Sequence, residues 1–194
     1  ISHGYSTYQT GLVPEDLVVA DLDGNGSLDA AVANTNASET GTADTVSVYL
    51  NQGNGTFGLR ADYTVGDRPE GIAAGDFDGD ALVDLATANF NGNSVTVLRG
   101  TGGGAFSAAG SIAVSGGPRG IVAGDLDGDG KTDLATANYT GSAVSILKGT
   151  GNGTFTVLGT TSVGRSPEVV AKGFVNADSV PDLVTCDTAD DRVT

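Results

Sequence analysis

Short apolar runs, separated by acidic and glycine-rich turns, recur along the whole chain and predict β-strands rather than helices. In one unit, residues 71–74 form an apolar run, an acidic loop follows, and residues 85–88 form a second run. Residues 94–98 then alternate apolar and polar side chains, and a glycine-rich turn leads to a weaker run through Ile112. Alternation at every second residue is typical of a strand with one buried face. The pattern predicts four short strands per unit.

The unit repeats along the chain at a nearly constant period. The spacing from Asp76 to Asp125 is 49 residues, as is that from Asp125 to Phe174, whereas Asp21 to Asp76 spans 55. The six extra residues lie in the polar connector 34–44, which identifies that connector as a surface loop. Four short strands in each repeat of this length are the signature of a β-propeller blade.

The repeat predicts an all-β fold of β-propeller-type blades, each with four antiparallel strands, in one domain spanning residues 1–194. The four units fall at residues 1–56, 57–105, 106–154 and 155–194. Whether the domain is part of a longer chain is left open. In this register Ile1 aligns with Thr56, so an outer strand near residues 5–9 has no blade of its own. We expect it to pair with the last blade or with another chain, because an unpaired edge promotes aggregation.

An acidic loop follows the first strand of each unit and is the strongest candidate for chemistry. Carboxylates or amides occupy loop positions 1, 3, 5 and 9, and glycine at position 4 lets the chain curl around one point. Ca²⁺ takes six to eight oxygen ligands, which these side chains and the position-7 carbonyl would supply. The predicted ligands are Asp21, Asp23, Asn25, Ser27 and Asp29 in the first loop; Asp76, Asp78, Asp80, Leu82 and Asp84 in the second; and Asp125, Asp127, Asp129, Lys131 and Asp133 in the third.

Packed carboxylates repel one another without a cation, so each intact loop predicts a bound ion. Many short acidic side chains form a flexible cage of high coordination number, which suits Ca²⁺ better than Mg²⁺ with its small octahedral coordination shell. Zinc or copper would prefer His or Cys ligands. The fourth loop has Phe174 at position 1 and Ala177 in place of glycine, with Asn176, Asp178 and Asp182 retained. We therefore expect about three calcium sites and a fourth loop that binds weakly or not at all.

Charge and composition exclude several other functions. The net charge of -15 argues against nucleic acid or an anionic membrane as partner, and no apolar run is long enough for membrane insertion. His3 is the only histidine, and no catalytic triad motif is present, so we expect no enzyme activity. The single cysteine, Cys186, is expected to be a small buried side chain in a strand.

The pattern Gly-Asp-x-Asp-Gly-Asp-Gly-x-x-Asp-Leu-Ala-x-Ala-Asn, followed by Ser-Val-x-Val-Leu-x-Gly-x-Gly-x-Gly-Thr-Phe, resembles the FG-GAP or VCBS repeat family. Such repeats build the propeller of integrin α-subunits and occur in bacterial extracellular proteins and some fungal lectins. The resemblance covers essentially the whole chain. It implies calcium in the loop between the first two strands of a blade, and it implies an extracellular protein, secreted or at the cell surface.

The leading hypothesis is a non-catalytic extracellular scaffold for adhesion or assembly, stabilised by calcium and acting through contacts with proteins, glycans or copies of itself. Two alternatives stay open: a lectin, and a propeller segment of a larger secreted enzyme. For the lectin, Tyr5, Tyr8, Tyr49, Tyr63, Phe90 and Tyr139 offer stacking surfaces. The outer strand near residues 5–9, which has no blade of its own, also suggests strand exchange between copies. Asn-x-Ser/Thr sequons predict possible glycosylation at Asn36, Asn54, Asn138 and Asn152.

Overall fold

The computed structural model describes residues 6–36 and 43–194, and every regular element in these ranges is a β-strand. The strands form four antiparallel sheets in chain order, each an up-and-down blade. In the described ranges, no helix is long and apolar enough to cross a membrane. His3 and Tyr5 lie outside the described residues. The predicted all-β architecture of propeller blades is confirmed.

Three blades have four strands and the last has three. Blade 1 consists of β1 (Pro14–Ala20), β2 (Asp29–Asn34), β3 (Thr45–Tyr49) and β4 (Ala61–Thr64); blade 2 of β5 (Pro69–Gly75), β6 (Asp84–Asn89), β7 (Ser94–Gly102) and β8 (Ala105–Ala113); blade 3 of β9 (Pro118–Gly124), β10 (Asp133–Asn138), β11 (Ala143–Gly149) and β12 (Phe155–Ser162); and blade 4 of β13 (Pro167–Gly173), β14 (Asp182–Asp187) and β15 (Arg192–Val193). Each fourth strand lies at the start of the next sequence unit, so the sheets are offset from the repeat edges by one strand.

The first strand of every blade begins at a proline and is interrupted at the same place. In blade 2, Pro69 pairs with Asn89 and Gly71 with Ala88, so one residue is left over as a bulge. The same irregularity recurs in the other three blades. Proline has no backbone N–H to donate and is tolerated at the start of a strand, and a bulge there increases the local twist.

The apolar core lies between blades rather than within them. One cluster joins blade 1 to blade 2 through Leu22, Val46, Val48, Ile72, Leu85 and Leu98. A second joins blade 2 to blade 3 through Ala73, Phe77, Val95, Val97, Leu134 and Leu147. Blade 2 therefore buries both faces, one against blade 1 and one against blade 3.

A buried polar network at the end of the second strand fixes each sheet. In blade 2, Asn89 donates from Nδ2 to Thr96 Oγ1 at 2.9 Å, and Thr87 donates its hydroxyl to Asn89 Oδ1 at 2.9 Å. Blade 3 repeats this with Asn138, which donates to Ser145 Oγ at 2.7 Å. In blades 2 and 3 these buried groups are paired, whereas in blade 1 the Oδ1 atom of the equivalent Asn34 has no hydrogen-bond partner among the described residues.

Two expectations about the chain ends are corrected. Residues 6–10 form no strand, and this segment packs on blade 1 instead of on the last blade; its pairing with another chain stays a prediction. Tyr8 contacts Phe57 edge to face, and the Tyr49 hydroxyl donates to the Gln9 carbonyl at 2.6 Å. Cys186 is exposed rather than buried. Its strand position matches alanines that lie between blades elsewhere, and no blade follows blade 4 in the described residues.

Candidate metal centres

The three intact acidic loops each bring three carboxylates together at one end of a blade, between its first two strands. Within each group, one ligand oxygen from each residue lies within 4.8 Å of those of the other two. The groups contain the side chains at loop positions 1, 3 and 9: Asp21, Asp23 and Asp29; Asp76, Asp78 and Asp84; and Asp125, Asp127 and Asp133. Nine of the fifteen predicted ligands are thus brought into three compact clusters.

Backbone N–H groups of the loop hold the position-1 carboxylate. Asp125 accepts from the N–H groups of Gly128 at 2.7 Å, Asp129 at 3.1 Å and Gly130 at 2.8 Å. The chain must turn sharply to aim these groups inward, and Gly128 and Gly130 both have a φ of 82°. Glycine adopts this conformation without steric cost. In the second loop Ala81 takes the position of Gly130 with a φ of 67°, a conformation that is strained for a residue with a Cβ.

The position-9 aspartate is buried and joins the acidic loop to the third strand. Asp84 accepts from the Phe77 N–H at 2.8 Å with one oxygen and from the Gly100 N–H at 2.7 Å with the other. Asp29 and Asp133 make the same pair of bonds in their blades. Burial raises the pKa of Asp84, although the two N–H donors act against this rise. This residue therefore holds the blade together as well as facing the cluster.

Six predicted ligands remain: the side chains at position 5 and the backbone carbonyls at position 7. Asp80 and Asp129 at position 5 are not members of the 4.8 Å clusters; each accepts the N–H of the residue two positions on, at 2.8 and 3.0 Å. Asn25 does the same with Ser27 at 2.7 Å. Ser27, Leu82 and Lys131 were predicted through their backbone carbonyls, and that assignment stays a prediction.

Basic side chains contact two of the three clusters, a feature that the sequence reasoning missed. Arg99 Nη2 lies 2.7 Å from Asp78 Oδ2, and Lys148 Nζ contacts Asp127 and lies 3.0 Å from Asp129 Oδ2. Lys148 holds the pKa of Asp129 below its usual range, and the two carboxylates raise the pKa of Lys148. The first loop has Leu50 at the corresponding strand position. An alignment of the third strands would have revealed this recurrence.

The fourth loop keeps the turn but not the cluster. Asp182 accepts from the N–H groups of Val175 at 2.8 Å and Asn176 at 3.2 Å, as a position-9 aspartate should. Phe174 replaces the position-1 carboxylate and is exposed. Among the described residues, the groups of three carboxylates occur only in the first three loops.

The sequons lie in different environments. Asn54 and Asn152 are exposed, and the side chain of each accepts the N–H of the threonine two residues on. Asn36 is half-buried, and Ser38 of its sequon lies outside the described residues. Asn138 is 1% exposed and bonded to Ser145, so a glycan on its Nδ2 would require β10 to open. The folded structure thus disfavours a glycan at Asn138, and glycosylation at the sequons stays a prediction.

The aromatic side chains considered for sugar stacking pack against one another or beneath basic groups. Tyr8, Tyr49 and Phe57 form one cluster, and Tyr63 lies edge to face on Phe106. Phe90 and Tyr139 contact each other and lie under Arg119, whose Cζ is 4.0 Å from the Tyr139 ring centre. Clefts of about 370 Å³ and 330 Å³ open between blades 2 and 3 and between blades 3 and 4, and neither is lined by these rings.

Blades with a recurring acidic loop between their first two strands define a repeat protein of the β-propeller class. Family models agree in detail: the FG-GAP-like repeat matches residues 21–87 and 76–136, and the FG-GAP repeat matches residues 117–158. The chain belongs to the FG-GAP repeat family. A search of curated proteins gave no significant match.

Solved structures share the fold at low identity. A functionally unknown protein from Desulfotomaculum acetoxidans has a TM-score of 0.57 and 15% identity, with 94% of this chain and 52% of that chain covered. A protein from Lactobacillus plantarum has a TM-score of 0.57 and 13% identity, with 93% of this chain and 54% of that chain covered. BBS1N, solved in complex with ARL6DN, has a TM-score of 0.56 and 14% identity, with 95% of this chain and 56% of that chain covered. The chain spans about half the length of each.

Proposed function

We propose that this chain is a non-catalytic extracellular scaffold whose blades are stabilised by calcium and which acts through contacts with proteins, glycans or copies of itself. The observation that supports it most is the recurrence of one carboxylate cluster at the same place in three blades. Each cluster has the same N–H cradle on its first aspartate and the same buried cross-link on its last. A chance grouping of exposed acids would not keep both features three times.

Calcium suits this donor set because it accepts many oxygen ligands in flexible geometry. The side chains at loop positions 1, 3 and 9 would hold the ion, with position 5 and the position-7 carbonyl completing the set. A bound ion supplies positive charge where three carboxylates now face one another. The loop itself contributes preorganisation, since its backbone already fixes the first and last aspartates.

An extracellular location is part of the proposal, and the chemistry of the acidic loops supports it. Extracellular calcium modules work with dissociation constants of about 10⁻⁴ to 10⁻³ M, which loops exposed to solvent can reach. The net charge of -15 keeps the surface acidic and disfavours contact with nucleic acid. The scaffold role is preferred to a lectin because the described aromatic rings line neither the cleft between blades 2 and 3 nor the one between blades 3 and 4.

Thermal unfolding with calcium, with magnesium and with EGTA tests the proposal. At free calcium 100-fold above its dissociation constant, one site adds about 2.7 kcal/mol to the free energy of unfolding. For a domain of this size that corresponds to a rise in Tm of roughly 5 to 10 °C per site. We expect a clear rise with calcium and a smaller one with magnesium. An unfolding temperature that calcium and EGTA leave unchanged would overturn the proposal.

A further inference from the structure

The three intact loops differ in the basic side chains that contact their carboxylates. A shared hydrogen bond defines the equivalent positions: a backbone N–H bonds to the position-9 aspartate at 2.7 Å in each blade, from Asn51, Gly100 and Gly149. The residue immediately before that N–H is therefore equivalent in the three blades. It is Leu50 in blade 1, Arg99 in blade 2 and Lys148 in blade 3.

Arg99 is held beside the second loop from two sides. Its Nη2 atom lies 2.7 Å from Asp78 Oδ2, and it donates to the Asn152 carbonyl of blade 3 at 3.0 Å. The Asp78 side chain is only 6% exposed, so salt screens this pair less than it screens an exposed one. The guanidinium is therefore a fixed positive charge at the second cluster.

Two lysines contact the third loop, and no basic side chain contacts the first. Lys148 Nζ contacts Asp127 and lies 3.0 Å from Asp129 Oδ2, and Lys131 Nζ lies 3.9 Å from the same Asp129 oxygen. In blade 1 the equivalent Leu50 packs instead against the apolar core between blades 1 and 2. Among the described residues, no ion pair involves the aspartates of the first loop.

The basic side chains occur in the loops that have a fourth carboxylate. The second and third loops carry Asp80 and Asp129 at position 5, whereas the first loop carries the neutral Asn25. Three aspartates give the first loop a formal charge of -3, and four aspartates with one arginine give the second loop the same value. Four aspartates with two lysines give the third loop -2. The third loop therefore attracts a divalent cation least.

We infer that Arg99 and Lys148 act as tethered cations that offset the position-5 aspartates and set the order in which the loops bind calcium. The third loop fills last, at a calcium concentration about fivefold above the first two, since one unit charge a few ångströms away changes affinity in water by about this factor. This inference rests on the calcium function proposed above and adds the regulation of those sites. Blade 3 responds at higher calcium than blades 1 and 2.

A calcium titration of the whole chain followed by NMR tests the order, because each loop has its own reporter. The backbone N–H at position 6 donates to the position-1 aspartate in all three loops, from Gly26 at 2.8 Å, Ala81 at 2.9 Å and Gly130 at 2.8 Å. We expect the Gly26 and Ala81 signals to shift over the same calcium range. The midpoint of the Gly130 signal should be about fivefold higher.

Two variants that each remove one charge change the order in a defined way. Arg99→Gln should lower the midpoint of the Ala81 signal about fivefold, so that the second loop fills before the first. Lys148→Gln should lower the Gly130 midpoint to that of the first loop and leave Ala81 in place. Both basic side chains are partly exposed, so the fold should survive, and the spectrum in EGTA checks this.

Two control variants separate local charge from other effects. Arg165→Gln changes the net charge by the same amount, but Arg165 pairs with Asp190 away from the three clusters, so all three midpoints should stay in place. Arg99→Lys keeps the charge and shortens the contact with blade 3. It should leave the Ala81 midpoint close to that of the unmodified chain, because the charge is what opposes the ion.

The outcomes distinguish this inference from the calcium proposal itself. Equal midpoints in the three loops, or variants that move all three signals alike, would overturn the inference and leave the calcium function standing. An Ala81 midpoint that Arg99→Gln leaves unchanged, in a chain with an intact spectrum, would show that Arg99 only joins blades 2 and 3, and the inference would fail. No shift of any reporter at millimolar calcium would overturn both proposals.

Discussion

The acidic loops of blade 2 and blade 4 have the same length and the same position-9 contact, yet they differ in what they assemble. Asp84 and Asp182 each accept the N–H of the residue one position into the loop, at 2.8 Å in both cases. One oxygen of Asp84 also receives a backbone N–H from Gly100 of the third strand, a bond whose counterpart in blade 4 would involve a position beyond residue 194; there the Asn176 side chain donates to Asp182 at 3.2 Å. The turn therefore survives without the cluster, and the cluster is the feature that requires a separate explanation.

This difference predicts unequal costs for removing the position-9 aspartate. Asp84→Ala would leave two buried N–H groups without an acceptor, and we expect a loss of about 2 to 4 kcal/mol in the free energy of unfolding. Asp182→Ala is the matched control: its partners are exposed to water, so the loss should stay below about 1 kcal/mol. Urea unfolding in EGTA measures both. Equal losses would show that the two loops are structurally equivalent.

A second test restores the missing cluster residues in the fourth loop. Phe174→Asp combined with Ala177→Gly restores the position-1 carboxylate and the glycine of the intact loops, and the exposed Phe174 side chain leaves no cavity. We expect one additional calcium per chain and a gain of about 1 to 3 kcal/mol at saturating calcium. Isothermal titration calorimetry gives the stoichiometry. Ala177→Gly alone should add no ion, and a double variant without a fourth ion would show that more than these residues was lost.

The intact loops differ among themselves in the basic side chain that contacts them. Lys148→Gln removes a positive charge from the third cluster, and a unit charge at about 4 Å is worth ~1 kcal/mol in water. We expect the calcium affinity of that site to rise about fivefold. Competition with a chromophoric chelator measures the change. Arg165→Gln, which disrupts a pair with Asp190 away from the clusters, should leave calcium affinity unchanged; a rise there too would point to net charge instead.

The smallest expected effect concerns Asp187, which stands in blade 4 where the other blades have a buried Asn. Burial opposes its ionisation, but hydrogen bonds from Thr194, Thr185 and the Gly164 N–H, with Arg192 nearby, hold its pKa below the usual value. The unfolded chain then binds the proton more tightly, so this stabilisation is present above about pH 3.8 and is lost as the pH falls through the folded pKa.

Asp187→Asn should therefore flatten the fall in stability between pH 5 and pH 2.5, as measured by urea unfolding in EGTA. Asp190→Asn is a useful comparison because its exposed pair with Arg165 should contribute less. An unchanged pH slope in Asp187→Asn would show that Asp187 is not a source of acid sensitivity.

The sequence predicted the blades and the clusters because both follow from spacing within one repeat. Nine residues from Asp76 to Asp84 form a tight loop, and alternate positions turn their side chains toward one point. The contact of Lys148 with Asp127 was missed because 21 residues separate them and only the pairing of strands brings them together. Blade 1 has Leu50 at the position of Arg99 and Lys148, so a basic side chain recurs there in only two of the three blades.

Cys186 shows a second limit of sequence reasoning. Its strand resembles those that carry Ala88 and Ala137, which are fully buried. Burial at this position comes from the following blade, not from the strand itself, and so a local pattern cannot show whether another blade covers the strand. The same reason applies to the strand predicted near residues 5–9: a strand needs a partner strand, and none lies beside residues 6–10 in the described part of the chain.

Anomalous scattering from crystals grown in calcium tests the central claim most directly, because it locates each ion without reference to stability. The account predicts three calcium peaks per chain, one among Asp21, Asp23 and Asp29 and one in each of the next two clusters, with none beside Phe174. Clusters without an ion at millimolar calcium, or a peak of equal strength in the fourth loop, would contradict it.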